Sequence, residues 1–175
     1  FNFVDASGTE IISVEDILTV SAAPDLTVQS LAVSDANPDA GSQITVDLTV
    51  LNQGDGAAGS SETRIYLSED AVIDASDTLL ATAATGALAA AGGSEAESEV
   101  VTLPEGISGT YYIGALADGG AAVSESDVTN NAASLAIDVA PVVAPFTPAD
   151  IAGLLHWLDA ADAATVTDAA SAASS

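Results

Sequence analysis

Residues 64–80 read RIYLSEDAVIDASDTLL, and their alternation decides the fold class. Ile65 and Leu67 fall on one face of an extended chain and Arg64 and Tyr66 on the other, the period-two pattern of a half-buried β-strand. A loop follows that carries Glu69, Asp70, Asp74 and Asp77, after which Leu79 and Leu80 are expected to return the chain to a core. The four carboxylates of this loop repel one another unless a positive charge sits among them. The chain has almost none to supply. A hard cation such as Ca²⁺, which takes roughly six to eight oxygen ligands in flexible geometry, is the expected partner.

The same alternation extends in both directions. Strands are expected over 26–33, 43–51, 63–67, 78–85, 95–103, 110–117 and 133–139. Ile44, Val46, Leu48 and Val50 form the clearest single buried face. Turn chemistry separates the strands, as in Asn37-Pro38-Asp39-Ala40-Gly41, Asn52-Gln53-Gly54-Asp55-Gly56 and Asp118-Gly119-Gly120. No helix is expected, because the best helical candidate, residues 85–91, is short and runs into Gly92-Gly93. The fold class is therefore all-β, an immunoglobulin-like antiparallel β-sandwich of about seven strands. Short N-terminal strands precede it and a C-terminal extension follows.

Four segments carry a resemblance: PDLTVQSLAVS, VDLTVLNQGDGAAGSSETRIYLSEDAVIDASDTLLAT, LPEGISGTYYIGALAD and VSESDVTNN. Their most specific pieces are NQGDG at 52–56, YLSED at 66–70, GTYYIGA at 109–115 and ESDVTNN at 125–131. Together they resemble the CARDB domain, an immunoglobulin-like module of bacterial and archaeal surface proteins whose name refers to cell adhesion. The resemblance spans 24–139 and implies an extracellular or cell-surface location and no enzymatic activity. Residues 146–168 resemble the start of a concanavalin-A-like, laminin-G-type lectin domain, through Phe146-Thr147-Pro148, Gly153-Leu154, Trp157-Leu158-Asp159-Ala160 and Asp162. Most of such a lectin sandwich is missing, so carbohydrate binding here has little to stand on.

Three regions are thus expected. Residues 1–23 form a strand-bearing arm or the end of a preceding domain, 24–139 the sandwich, and 140–175 a Pro-rich linker with the truncated lectin-like segment. Ser21-Ala22-Ala23-Pro24 marks the first boundary, since Pro24 cannot donate to a ladder. The chain opens at Phe1 with no basic n-region before an apolar run, which reads as a mature or trimmed piece of something longer.

Composition narrows the partners. The 175 residues carry 26 acidic side chains against the single cation Arg64, a formal net charge of −25. Nucleic acids and anionic membrane surfaces need Lys and Arg to neutralise phosphates, so both are excluded as partners. No apolar run approaches the roughly 18 residues that span a bilayer. Aromatic residues make up only 4 % of the chain, so the core has to be built from Val, Ile and Leu. Cys and Lys are absent, which rules out disulfides and Lys–Asn isopeptide links as braces and leaves bound cations. Dense acid suits salty surroundings, where ions screen self-repulsion.

Catalysis finds no support. The single histidine, His156, sits in LLHWLD beside Trp157, where packing is the ordinary role, and no serine occupies a nucleophile elbow. Two acidic groups are the candidate metal ligands, meeting at one end of the sandwich or serving separate ions: Asp70, Asp74 and Asp77 in the first loop, and Glu125, Asp127 and Asn130, with Asn131 beside them, before the last strand. Neither has EF-hand spacing, and Asp and Asn are also the ordinary formers of turns. Two functions from different classes remain. One is a subunit of a surface filament or sheath, a homo-polymer in which Phe1, Phe3, Ile12, Val14, Ile17, Leu18 and Trp157 dock on a neighbouring copy by strand addition. The other is a spacer repeat of a large adhesin, joined to neighbouring domains and presenting a lectin.

Overall fold

The computed structural model describes residues 2–4, 6–8, 10–13 and 22–142. All of them belong to one unit of the chain, residues 1–142. The expectations resting on Phe1, Val14, Ile17, Leu18, His156, Trp157 and the lectin-like segment lie outside the described residues.

Two short strands, β1 (Asn2–Val4) and β2 (Glu10–Ser13), pair antiparallel with Phe3 opposite Ile12. The remaining strands build the sandwich: β3 (Leu26–Val33), β4 (Gln43–Asn52), β5 (Ser61–Ser68), β6 (Thr78–Thr85), β7 (Gly93–Thr102), β8 (Gly109–Leu116) and β9 (Ala132–Val139). One sheet has the order β3-β4-β7 and the other β6-β5-β8-β9, all pairs antiparallel. The described residues contain no helix; in the segment expected as the best helical candidate Leu88 bridges to Ala58, and 90–92 form a turn with Ala91 and Gly92 at positive φ.

Alternation does the folding work. Ile44, Val46, Leu48 and Val50 of β4 point inward against Ile65 and Leu67 of β5, Ile113 and Ala115 of β8 and Ile137 of β9. This core is aliphatic throughout. Leu26, Ile44, Ile65, Leu103, Ile113 and Ile137 are fully buried, each contributing about 1.5–3 kcal/mol through removal of apolar surface from water.

Two expectations about 64–80 need correction. Leu79 does not return to the core: it faces outward from edge strand β6 and is 51 % exposed, while Leu80 packs partly against the core. Tyr66, on the supposedly wet face of β5, is 4 % exposed. The reason is that residues 69–77 fold back over the outer face of the four-stranded sheet. A Cβ on Gly114, the partner of Tyr66 across β5–β8, would collide with the Ile73 side chain, so only glycine fits beneath this strap. Ser134 Oγ on β9 donates to the Ala71 carbonyl at 2.9 Å and holds the strap from the far side.

The register fixes which loops share an end. Leu26 pairs with Asn52, Asn52 with Gly93, and Leu116 with Ala132, so residues 22–26, 52–58, 86–92 and 117–131 gather where the chain enters the sandwich. Residues 34–42, 103–108 and 140–142 gather at the opposite, exit end. There the Ala40 N–H donates to the Ala140 carbonyl (3.0 Å) and the Ala140 N–H to that of Pro38 (2.9 Å), closing the β3/β9 side. The strap departs from the exit end, because Ser68 pairs with Tyr112. The two acidic groups therefore have different supports: 69–77 lie against the outer face of the four-stranded sheet, and 118–131 close the entry end.

Candidate functional site

The entry pole is organised by Asn52, which is fully buried at the end of β4. Its Oδ1 accepts from the Asp25 and Gly54 N–H groups, both at 3.1 Å, and its Nδ2 donates to the carbonyls of Gly56 (2.8 Å) and Ala89 (3.1 Å). One side chain thus ties the start of the sandwich to its own turn and to the β6–β7 connection. The approach is close: a Cβ on Gly56 would meet the Ala22 carbonyl, so the NQGDG turn requires glycine there.

Over this base lies the segment 118–131. Asp118, 7 % exposed, accepts from the Ala122 and Val123 N–H groups, each at 2.9 Å. Glu125 reaches the Leu26 N–H with one oxygen and accepts from Asn131 Nδ2 with the other at 2.7 Å. Asn131 Nδ2 also contacts the Ala117 carbonyl at 3.2 Å, and Asn130 Nδ2 donates to Asp25 Oδ1 at 2.9 Å. Burial pushes the Glu125 carboxyl above its ordinary range, and the neighbouring charges of Asp118 and Asp25 push the same way against its hydrogen bonds. The amide oxygens of Asn130 and Asn131 are shielded from solvent and have no hydrogen-bond partner.

The first acidic group behaves differently. Asp70 Oδ1 accepts from the Val72 N–H (2.8 Å), Asp74 Oδ1 from the Ser76 N–H (2.7 Å) and hydroxyl (2.6 Å), and Asp77 Oδ2 from the Asp74 N–H (2.8 Å). These bonds from Ser76 hold Asp74 below the usual carboxylate range. Asp127, in the second group, is held low in the same way by the Thr129 hydroxyl and N–H, at 2.7 and 2.8 Å. All four acids act as turn formers. Glu69, Asp70 and Asp77 line a shallow depression with Ser68, Ser76 and Thr78, and Asp74 is not part of it. Among the described residues no three carboxylates or imidazoles converge as a metal cage would.

β6 and β7 are each an edge strand of their sheet, and the two edges are unlike. β7 places Glu95, Glu97 and Glu99 on alternate positions of its inward face. Glu97 is 9 % exposed; its Oε1 lies 2.7 Å from Thr85 Oγ1 and 3.3 Å from Thr63 Oγ1, and its Oε2 is buried without a partner. Inward-pointing charge is a recognised guard of a sheet edge. β6, TLLATAAT, has no charge and no proline along its length.

A family model for CARDB matches residues 23–135. The chain belongs to the CARDB family. CARDB is a cell-surface-associated domain family, and the two-sheet architecture agrees with its solved members. The CARDB domain of the PF1109 protein of Pyrococcus furiosus, solved in complex with di-metal ions, is similar at 22 % identity and a TM-score of 0.53, over 69 % of this chain and 97 % of that one. A solution structure of the PF1109 CARDB domain gives 24 % identity and a TM-score of 0.52, over 67 % and 96 %. A Methanosarcina acetivorans domain described as part of a cell surface protein follows at 17 % identity and a TM-score of 0.46, over 67 % and 93 %. No curated protein sequence matches the chain. For this CARDB domain, Asn52 and Asp118 are the structural keystones that sequence reasoning passed over as turn residues. Their only signal was their place inside NQGDG and beside Gly119-Gly120.

Proposed function

We propose that this CARDB chain is a non-catalytic, extracellular structural and adhesive subunit that joins further copies of itself into a surface filament or sheath by strand addition. The observation that carries the reading is the β6 edge: eight residues without charge or proline, with Leu79 exposed, in a chain of net charge −25. An edge left unguarded in so acidic a molecule is a template for pairing with another chain. The occupant is the N-terminal arm of a second copy, whose apolar residues include Phe3 and Ile12. Ca²⁺ serves as the brace that disulfides supply in other extracellular domains; the di-metal complex of the Pyrococcus relative supports that role.

Sedimentation velocity and negative-stain microscopy of the full chain over a concentration series test the assembly. The expected result is large, elongated species that disappear when Leu79→Lys and Thr82→Lys are introduced together. A monomer at every concentration would remove the filament reading.

A second reading has its own support. The chain enters the sandwich at Ala22–Leu26 and leaves at the opposite end through Val139–Val142, the through-going path of a bead in a string. If the chain stays monomeric, a spacer repeat within a long adhesin is the reading that remains.

A further inference from the structure

We infer that the entry pole is a binding site for one hard divalent cation of Ca²⁺ size, with Glu125 and the side-chain oxygens of Asn130 and Asn131 as its protein ligands and Asp25 and Asp118 supplying further negative charge. This rests on the proposed Ca²⁺ brace and gives it a location.

Asn131 is 5 % exposed, and its Oδ1 has no partner; the Oδ1 of Asn130 is likewise shielded and unpartnered. Neither amide can be turned over to relieve this. Asn130 Nδ2 already donates to Asp25 Oδ1, and Asn131 Nδ2 to Glu125 Oε1 and the Ala117 carbonyl, so reversal would set oxygen against oxygen. Both oxygens are therefore fixed as acceptors. Asn131 Oδ1 shares a carbon with the nitrogen that donates to Glu125 Oε1, so it is a near neighbour of that carboxylate.

Protein donors do not come to their aid. Lys is absent from the sequence, and Arg64, the single cation, is held by Glu62 at 2.5 Å. The surrounding ionisable groups are Asp25, Asp118 and Glu125, and the first two bias Glu125 towards holding a proton. A pole of acceptor oxygens under accumulated negative charge is complementary to a cation. Neutral amide oxygens mixed with carboxylates, in a loop rather than an octahedral cage, suit Ca²⁺ better than Mg²⁺. Asp127 is exposed, closes a local turn with Thr129 and is not counted among the ligands.

The test is calorimetric titration of CaCl₂ into the full chain at fixed ionic strength, repeated with MgCl₂, alongside thermal unfolding in Ca²⁺ and in EGTA. Saturable Ca²⁺ binding is expected, weakened by about tenfold or more in Glu125→Gln. Asn130→Asp separates a cation site from a plain polar network. It adds a carboxylate beside Asp25, so it should melt lower than wild type in EGTA and yet gain more from Ca²⁺. Equal destabilisation of Asn130→Asp with and without Ca²⁺ would overturn the inference. Ca²⁺ binding that survives Glu125→Gln but is lost in Asp77→Asn would move the ion to residues 69–77, overturning this site and leaving the brace intact. No Ca²⁺ binding at all would remove both, without bearing on assembly through β6.

Discussion

The segments 69–77 and 118–131 are written in the same residues and do opposite things. The first is a strap on the outside of a sheet. Its aspartates close short turns with neighbours two or three positions away, and one apolar side chain, Ile73, holds it to Gly114. The second dips into the end of the sandwich. Asp118 and Asp127 still bond locally, but Glu125 reaches Leu26 and Asn130 reaches Asp25, 99 and 105 positions away, and two amide oxygens are left unsatisfied. This segment also holds two non-glycine residues at positive φ, Asp118 (46°) and Ala121 (53°), whereas the strap holds none. Local hydrogen bonding satisfies an acid cheaply; long-range burial makes it interdependent with its surroundings.

The largest effect is expected at the base of the pole. Asn52→Ala removes the partners of four backbone groups in a fully buried setting and should cost about 3 kcal/mol or more in urea unfolding. A loss below about 1 kcal/mol would mean that the pole is no more interdependent than the strap.

Gly114→Ala comes next. The added methyl group must displace Ile73, costing about 1–3 kcal/mol, and should expose residues 69–77 to limited proteolysis while the sandwich stays folded. Simultaneous loss of the whole fold would show that the strap is as integral as the pole.

Acid titration separates the two segments by sign. Glu125 has its pKa raised by burial, so the folded state favours its protonated form. Its contribution is present below the ordinary Glu value of 4.5 and is lost as pH rises through the raised value. Asp74 has its pKa lowered by Ser76, so its contribution is present above the ordinary 3.8 and is lost as pH falls through the lowered value. In EGTA, Glu125→Gln should flatten the decline in stability on the rising side, and Asp74→Asn the decline on the acid side. Thermal unfolding between about pH 2 and 7 reads both slopes, and matching slopes in the two variants would erase the distinction. The smallest effect is Ala121→Gly, where relief of the positive φ should gain about 0.5 kcal/mol.

Much of the fold was legible from period-two alternation. The inward faces of β4, β5 and β9 follow from Val46, Ile65 and Ile137, since a one-residue slip would put a whole aliphatic row into water. Leu79 and Tyr66 escaped that logic for one reason. Alternation tells which residues share a face and not whether something covers it. Of the site, Glu125, Asn130 and Asn131 were legible as one group, whereas Asn52 and Asp25 belong to it through contacts that no local pattern encodes.

By itself, then, the sequence determined the strand set, the aliphatic core, the excess of acid and the family, because each depends on residue type or on spacing over a few positions. The tertiary structure alone decided which carboxylates lie exposed in turns and which are packed at the entry pole. Desolvation and orphaned acceptors arise from the distance between residues remote in the chain, and only the docking of two sheets sets that distance.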